Sequence, residues 1–513
     1  MPLVLVDEED MKIGMRRKSV KGINKDKGKS GVNVLTKKSS KEKEDLTEKL
    51  GLKGKKTIEV KKTIRIPVHY DVTKNKMDIL NRLTARITYG IRLISEVVYD
   101  LVKDVEHSKV LSEGTDEELQ FLKLNVIEEI VKNSDIEEKT GLQSTYIQQC
   151  INKVIFSYKS YRDLHKKWEV KVERAEERLE GSRDDKERMR GEKWLEKLIK
   201  REPSKPDFRD KTPCRLDWRT GNVVRWDEGK LSKLWIKIST LDKGKTICIP
   251  LSPSQYHINQ LKDVVIDDFE IIKGGDSRKK KNKNKYYIHV SITKVVERKK
   301  ISSVGGIDQG LNKSIAAVLI GLDDKDLTFP REEQLLDSAK VELLEKYDDI
   351  VASLQEAEKW DKLRQLRNKR ENVSIYHDWC LANKVAEFTE GSYVAIGNSQ
   401  FRQGMFRGNQ MPGLRKRIGK WSYSRQRKFI RLKRAERGYD TELRDEYGTS
   451  RECCKCHSKL TTRKYEEGYS YILCHSCEVK IDADLNAGNV IATQCRDDML
   501  KAGMIRMENP VSR

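Results

Sequence analysis

The sequence predicts a multidomain α+β fold: a small β-domain interrupted by a helical one, followed by an α/β core that carries a cysteine-rich insert. Three observations predict it. Apolar spacing passes from period two to the three- and four-residue steps of helices and back again before residue 300. Beyond residue 303, short apolar runs end in acids and alternate with a long helical stretch. Near the C-terminal end, two Cys-x-x-Cys pairs are separated by 17 residues. A chain of 513 residues has room for three or four domains. Charged residues make up 36% and hydrophobic ones 37%, so cores are expected beneath very polar surfaces. No run of eighteen apolar residues occurs, and no membrane span is expected. The opening MPLVLVDEEDMKIGMRRK lacks the basic start and long apolar stretch of a secretory signal.

Residues 1–56, rich in Lys, Ser, Gly and Glu, are expected to be a basic disordered tail. Arg16-Arg17-Lys18 and Lys37-Lys38 leave open a nuclear address, an RNA-contacting arm or a plain solvated tail. The alternation in TIEVKKTIRIPVHYDV (57–72) predicts a strand. Helical periodicity follows from about Lys74 to Lys132, where Ile79, Leu80, Leu83, Ile87, Ile91 and Leu93 recur mostly at three- and four-residue steps. Helices continue through Thr145–Leu164 and Lys166–Lys200, so that a helical domain is expected over 74–206. Its last part, Lys166–Lys200, has too few apolar residues for a buried helix. That predicts an exposed helical hairpin, with a helix lying along a nucleic-acid backbone as the functional alternative. Pro203 and Pro206 end the pattern. Strands are then predicted at Leu231–Ile238, Lys245–Ile249, Val264–Ile272 and Tyr286–Val295, the last two joined by the basic tip SRKKKNKNK. The β-domain is thus expected over 57–73 and 207–300.

Val304–Asp308 and Ser314–Ile320 read as paired strands around the turn Gln309–Asn312, with an acid ending the first. That is how an RNase H-like fold begins. A helical segment over Glu333–Glu390 and a strand over Ser392–Ile396 continue it. The core is expected over 301–448 and 481–513, and the insert over 449–480.

The net charge of +23 points first to a polyanion partner, and nucleic acid fits best, because phosphate contacts by Lys and Arg release counterions. A generic solvated surface is the alternative. Between Phe401 and Arg437, cations interleave with aromatics. Arg402, Arg407, Arg415, Lys416, Arg417, Lys420, Arg425, Arg427 and Lys428 are the candidates for phosphate contacts. Trp421, Phe429 and Leu432 fall near helical spacing and read as core.

Ten cysteines are present, and Cys150, Cys214, Cys248, Cys380, Cys454 and Cys495 are scattered. That is no disulfide framework and suits a reducing compartment. Cys453, Cys456, Cys474 and Cys477 have the spacing of a tetrahedral thiolate zinc site. Cys454, His457 and His475 read as bystanders. A closed four-sulfur site leaves no position for substrate, so the zinc is expected to be structural. Two acids complete the signals: Asp308 in GGIDQGLNKSIAAV and Asp484 in KIDADLNAGNVIA. Phosphodiester hydrolysis by two Mg²⁺ ions needs converging carboxylates. An Asp beside a Gly is otherwise an ordinary turn residue.

Together GIDQGLN, TSRECCKC, CHSC and DADLNAGN resemble the RuvC-type core of the TnpB superfamily: transposon-encoded TnpB, compact type V CRISPR effectors and Fanzor proteins. The motifs cover about 301–495. For the N-terminal half the resemblance is one of layout, a wedge-like β-barrel (57–73 and 207–300) interrupted by a helical recognition lobe (74–206). It implies an RNA-guided DNA endonuclease with a guide RNA, a target DNA bearing a short flanking motif, catalytic Mg²⁺, and a zinc-binding target-nucleic-acid-binding insert at 449–480.

One departure matters. Many members carry a catalytic Glu directly after the second core strand, in a pattern like V-I-E-D-L. Here the strand reads Tyr393-Val394-Ala395-Ile396 and runs into Gly397-Asn398. Either the protein is a nuclease-inactive RNA-guided DNA-binding repressor or recruiter, or the acid comes from elsewhere. Some members have a relocated Glu on the strand before the Thr-Ser that opens the knuckle, and Glu446 matches that position. The resemblance therefore implies a catalytic set of Asp308, Glu446 and Asp484. Asp445 and Asp482 are the nearest spares, and strand alternation would turn Asp445 away. A zinc-containing nuclease without a guide is a third reading. Transposon, CRISPR or eukaryotic origin stays open, and with it a cytoplasmic, nucleoid-associated or a nuclear location. So does the choice between monomer and homodimer.

Overall fold

The computed structural model describes residues 33–35, 46–106, 124–182, 184–208, 212–225, 231–274, 285–310, 313–322, 331–335, 338–398, 420–466 and 469–504. They fall into two units. One gathers the described residues between Lys61 and Lys294 with 33–35 and 46; the other gathers Thr47–Val60 and the described residues from Val295 onward.

In the first unit the alternating segments pair into two four-stranded antiparallel sheets. One runs β1 (Asn33–Leu35), β4 (Gly221–Arg225), β5 (Leu234–Ser239), β6 (Thr246–Pro250); the other runs β2 (Thr57–Pro67), β8 (Lys285–Glu297), β7 (Val265–Gly274), β3 (Cys214–Leu216). An isolated bridge, Val68 to Leu251, is the link between them among the described residues, so the expected barrel takes the form of two sheets. β3 and β4 are too short to have shown a period in the sequence. Helices Lys74–Glu106 and Ser144–Glu180 lay their apolar stripes on these sheets. Ile64, Ile66, Leu80, Leu83, Ile87, Ile91, Tyr146 and Val154 share one core with Ile236 and Ile288. Beyond Tyr158 the longer helix runs out of apolar partners. It forms the expected exposed hairpin with Asp185–Ile199, whose first turn is capped by the Asp184 carboxylate accepting the Glu187 N–H. Trp168 Nε1 donates to the Leu198 carbonyl at 2.8 Å.

The expected disordered tail is corrected in two places. Asn33–Leu35 pairs with β4, and Leu52 is buried while Lys55 meets Glu297 at 2.9 Å. The remainder of 1–45, including Arg16-Arg17-Lys18 and Lys37-Lys38, lies outside the described residues, as do residues 275–284, which hold most of the basic tip.

The second unit is built on a five-stranded sheet in the order β11 (Arg331–Leu335), β10 (Ile315–Gly321), β9 (Ser303–Asp308), β12 (Ser392–Gly397), β13 (Thr441–Arg444). β9 pairs antiparallel with β10 and parallel with β12. The helix expected from Glu333 starts later. Arg331–Leu335 is an edge strand, because Glu332, Glu333 and Gln334 suit a solvated edge, and the helices are Ser338–Glu356 and Trp360–Phe388. Alternation splits the side chains of the central strands between two layers. Ile307, Ile315, Val394 and Ile396 face Leu381, Val385 and Ile430 of the helices Trp360–Phe388 and Tyr423–Glu436. Val304, Val318, Ile320 and Ala395 face Ile491, Ala492, Cys495 and Met499 of the helix Ala483–Lys501.

The glycine pair of GGID has a packing cause. A Cβ on Gly306 would lie 2.0 Å from the Gly488 carbonyl oxygen and 2.5 Å from the Ala492 nitrogen, so the helix backbone rests directly on β9. A Cβ on Gly488 would meet the Val318 Cγ2 at 3.1 Å and the Ala316 and Gly306 carbonyl oxygens at 3.3 and 3.4 Å, all less severe than the 2.0 Å approach at Gly306. Gly306→Ala is therefore expected to cost about 1–3 kcal/mol by overpacking and to weaken any activity of the site at this end of β9, with Gly488→Ala milder in both. Thermal melts of the two variants check the order. Equal melting points would contradict it.

The basic helix Tyr423–Glu436 is anchored by charge. Arg434 is fully buried and donates to the carbonyls of Thr389 (2.7 Å), Ser392 (2.5 Å) and Asp440 (3.2 Å) and to Thr441 Oγ1 (2.9 Å). Desolvation pulls its guanidinium down to about 10. At the other end Asp378, fully buried, accepts from Lys340 (2.7 Å), Ser422 (2.6 Å), Arg425 (2.5 Å) and Gln426 (3.1 Å), tying three helices together. Phe429 stacks on Trp379 at 3.8 Å and leans on the core, as expected; Ile430 is the fully buried apolar residue of this helix.

Candidate active centre and zinc site

Asp308 ends β9 on the same face as Val304 and Gly306, which alternation turns toward the helix Ala483–Lys501. Asp484 sits in the first turn of that helix. The helix begins at Asp482, whose carboxylate accepts the N–H groups of Asp484 (3.0 Å) and Leu485 (3.1 Å), an ordinary N-cap. Asp482, one of the two spare acids, is thus engaged. Lys313 Nζ lies 2.5 Å from its other oxygen.

The missing acid at position 397 has a spatial answer. In the parallel pairing Ile396 stands beside Ile307, which puts Gly397 next to Asp308 at the sheet's end. A Cβ built on Gly397 would fall 2.0 Å from Glu446 Oε1 and 2.5 Å from its Cδ and Cγ. The Glu446 carboxyl therefore fills the space that a side chain at 397 would claim. β13 ends at Arg444, so Glu446 is presented by the loop after the strand and not by the strand itself, as alternation had assumed. A turn closed by Thr449, whose N–H and hydroxyl both donate to the Glu446 carbonyl, holds it there. Asp445, the other spare, is exposed, and its carboxylate accepts the Tyr447 N–H.

The electrostatics register the convergence. Burial, then the charges of Glu446 and Asp484, push the Asp308 carboxyl up to about 8, against the pull of Arg463. Burial and Asp482 raise Asp484, while Arg463 and Lys313 pull it down. Arg463, on β14 (Thr461–Glu466), stands 3.5 Å from Asp484. Sequence reasoning missed Arg463 and Lys313. Nothing in TTRKYEE sets one cation apart; only the fold of the insert brings Arg463 over the acids.

The insert is a three-stranded sheet, β14–β15 (Tyr469–Cys474)–β16 (Lys480–Asp482), held between two knuckles. Sγ atoms of Cys453 and Cys477 are 3.6 Å apart, those of Cys456 and Cys474 3.5 Å, and all four lie within 4.8 Å of one another. A regular tetrahedron with metal–sulfur bonds of about 2.3 Å has edges of about 3.8 Å, so the donor set fits zinc. Each knuckle ends in a left-handed residue just after its second cysteine, His457 (φ 56°) and Glu478 (φ 55°). The expected bystanders are engaged elsewhere. His457 meets Glu452 at 2.8 Å, His475 meets Thr462 at 2.7 Å, and the Cys454 thiol is buried, with burial pushing it up to about 12. Asn486, fully buried, fastens insert to helix: it accepts the Cys454 N–H at 2.9 Å and donates to the Glu452 carbonyl at 2.8 Å.

The candidate phosphate contacts divide. Lys420 is buried against Glu345 (3.0 Å) and Asp348 (3.5 Å), and Arg425 pairs with the buried Asp378. Arg427 contacts the Gly397 carbonyl at 3.4 Å and the Asn398 side chain. Lys428 is exposed. Arg402, Arg407, Arg415, Lys416 and Arg417 lie outside the described residues.

Residues 423–491 match the family model described as the Cas12f1-like TNB domain. Solved structures with a likeness to the chain include the following three. A Cas12f1–sgRNA–target DNA complex is 15% identical, with 84% of this chain and 99% of that one covered and a TM-score of 0.30. The mini RNA-guided endonuclease CRISPR-Cas_phi3 is 11% identical, with 90% and 97% covered and a TM-score of 0.41. Alicyclobacillus acidoterrestris C2c1 with single-guide RNA is 9% identical, with 84% and 88% covered and a TM-score of 0.45. A search of curated proteins finds no match. No helix among the described residues is long and apolar enough to cross a membrane.

Proposed function

We propose that this chain, placed in the TnpB-like and type V effector superfamily by its motifs and its TNB domain, is an RNA-guided DNA endonuclease. Its partners are a guide RNA and a target DNA bearing a short flanking motif. Residues 74–206 form the helical recognition lobe, 57–73 and 207–300 the wedge-like β region, 301–448 and 481–513 the RuvC-like core, and 449–480 the zinc-bearing insert. The observation that carries the reading is Glu446 standing in the space above Gly397, beside Asp308. It supports the carboxylate set that the resemblance implied, with Glu446 in place of an acid at position 397.

The donor set fits divalent cations. Three carboxylates share one corner of the sheet, and burial, then their mutual repulsion, keeps a proton on Asp308 to about 8. Asp308, Glu446 and Asp484 would hold two Mg²⁺ ions, whose chemistry there would be activation of a water and stabilisation of the leaving 3′ oxygen. Arg463, 3.5 Å from Asp484 and partly exposed, would offer a cation to a bound phosphodiester. A zinc ion on Cys453, Cys456, Cys474 and Cys477 would keep the insert folded and take no part in the chemistry.

The test is cleavage of a matched DNA by the purified chain with its co-purifying RNA in Mg²⁺. Asp308→Ala or Asp484→Ala should abolish cutting while leaving RNA and DNA binding intact. Full cleavage by either variant removes the assignment, and an uncut target with the unaltered chain favours the repressor reading.

A pH dependence follows. The unfolded chain ionises an Asp near 3.9, whereas folded Asp308 keeps its proton to about 8. The folded state thus binds the extra proton through that window, and the stability this confers on the metal-free protein is lost as pH rises toward 8. A divalent ion must displace that proton, so Mn²⁺ affinity measured calorimetrically should rise from pH 6 and level off above about 8. A flat profile would contradict it.

A further inference from the structure

Lys313 is not among the carboxylates, yet the hairpin places it beside them. The Gly310 N–H donates to the Lys313 carbonyl at 3.1 Å, closing the turn after Asp308 and returning Lys313 to the helix start. A Cβ on Gly310 would sit 2.8 Å from that carbonyl, so the tight closure depends on the glycine. Both partners of the resulting ion pair are largely buried, with side chains 16% and 9% exposed, and they are joined at 2.5 Å. The other oxygen of Asp482 caps the helix by accepting from Asp484 and Leu485. One carboxylate thereby links a cation from the β9–β10 hairpin to the backbone of a proposed metal ligand. Glu332, on β11, is raised by burial and by the Asp482 charge, so without Lys313 two acids would face each other there.

We propose that Lys313 is a positioning residue of the active centre: it fixes Asp482 on the helix N-cap, which orients Asp484, and it keeps Asp482 from acting as a fourth carboxylate toward the metals. The inference rests on the reading of Asp308, Glu446 and Asp484 as metal ligands. Its physical content is a charge balance and a tether. Removing the ammonium leaves a buried carboxylate without its cation, adding a net negative charge at the site and freeing the cap to turn away.

The experiment compares the full chain with its RNA as wild type, Lys313→Ala, Lys313→Arg and Lys313→Ala/Asp482→Asn. The double variant restores net charge, and Asn is a good N-cap. Two readouts are used: Mn²⁺ binding by calorimetry, and hydrogen exchange of the Asp484 and Leu485 amides without divalent ions. In Lys313→Ala, Mn²⁺ should bind tighter, on the order of tenfold, because a repelling charge is gone. Cleavage should nevertheless fall, and the two amides should exchange faster. A merely structural lysine would lower cleavage and metal affinity together. Lys313→Arg should stay close to wild type, and the double variant should return both affinity and amide protection to within about threefold. Unchanged amide exchange and affinity in Lys313→Ala, or a double variant no better than the single, would overturn the inference. Faster exchange that the double variant reverses, in a protein whose wild type binds no Mn²⁺, would keep the tether but remove the metal reading.

Discussion

Glu446→Gln is expected to lower Mg²⁺-dependent cleavage by about 10³-fold or more, since losing a ligand that places a catalytic metal forfeits several kcal/mol of transition-state stabilisation. Gln keeps the size and the loop hydrogen bonds, so assembly with RNA should be unaffected. The more telling pair of variants concerns Gly397. In the otherwise unaltered chain, Gly397→Ala puts a methyl 2.0 Å from Glu446 Oε1, and the carboxyl must leave its place; cleavage should drop although no ligand was removed. In a Glu446→Ala background that clash disappears, and Gly397→Glu should recover at least about tenfold of the lost rate. The recovery would follow from one site being reachable from two points of the chain. Steady-state cleavage of a matched DNA measures all four proteins. Full activity in Glu446→Gln removes it from the catalytic set, and no recovery in the double variant means the two positions are not interchangeable.

How much of this was legible in the sequence follows from what each signal depends on. Cys453, Cys456, Cys474 and Cys477 were readable because each knuckle is local, two sulfurs from one turn, and the four sulfurs do gather. Asp308 and Asp484 were readable from motifs at a strand end and a helix start, where those elements do lie. Glu446 was readable as a position but not as a geometry, since its strand stops at Arg444 and a turn presents it. β11 was hidden, because an edge strand of Arg, Glu and Gln has the composition of a helix surface and is fixed only by its ladder to β10. The protein partners of Lys420 and Arg425 were hidden for a related reason. A basic stretch looks the same in sequence whether its charges meet phosphates or Asp378 and Glu345, and those partners come from helices 47 and 75 residues earlier in the chain.

Removing the zinc is the other change with a large expected effect, and it reaches the carboxylates through packing. Structural zinc in small domains contributes apparent binding energies of about 10–16 kcal/mol, which is folding energy for the segment that binds it. Here the segment is short on apolar support. β14 is exposed along nearly its whole length, and the buried side chains of the insert are chiefly Cys453, Cys454 and Cys474 with Tyr471 and Ile472. Without metal the knuckles would open, and three things would go with them: the Cys454 N–H on Asn486, the Glu452 carbonyl on the same side chain, and the placement of Arg463 at Asp484. Asn486 is two residues from Asp484 on one helix turn, so loss of its anchors loosens the start of the helix itself. Cys474→Ser is therefore expected to release about one zinc per chain by elemental analysis and to abolish cleavage at saturating Mg²⁺. Helical circular dichroism should remain close to wild type, because the long helices lie outside the insert. A selective thiol-type chelator should give the same result without mutation. Full cleavage by zinc-free protein in Mg²⁺ would show that the insert positions nothing in the centre, and Arg463 would then have to be removed from it as well.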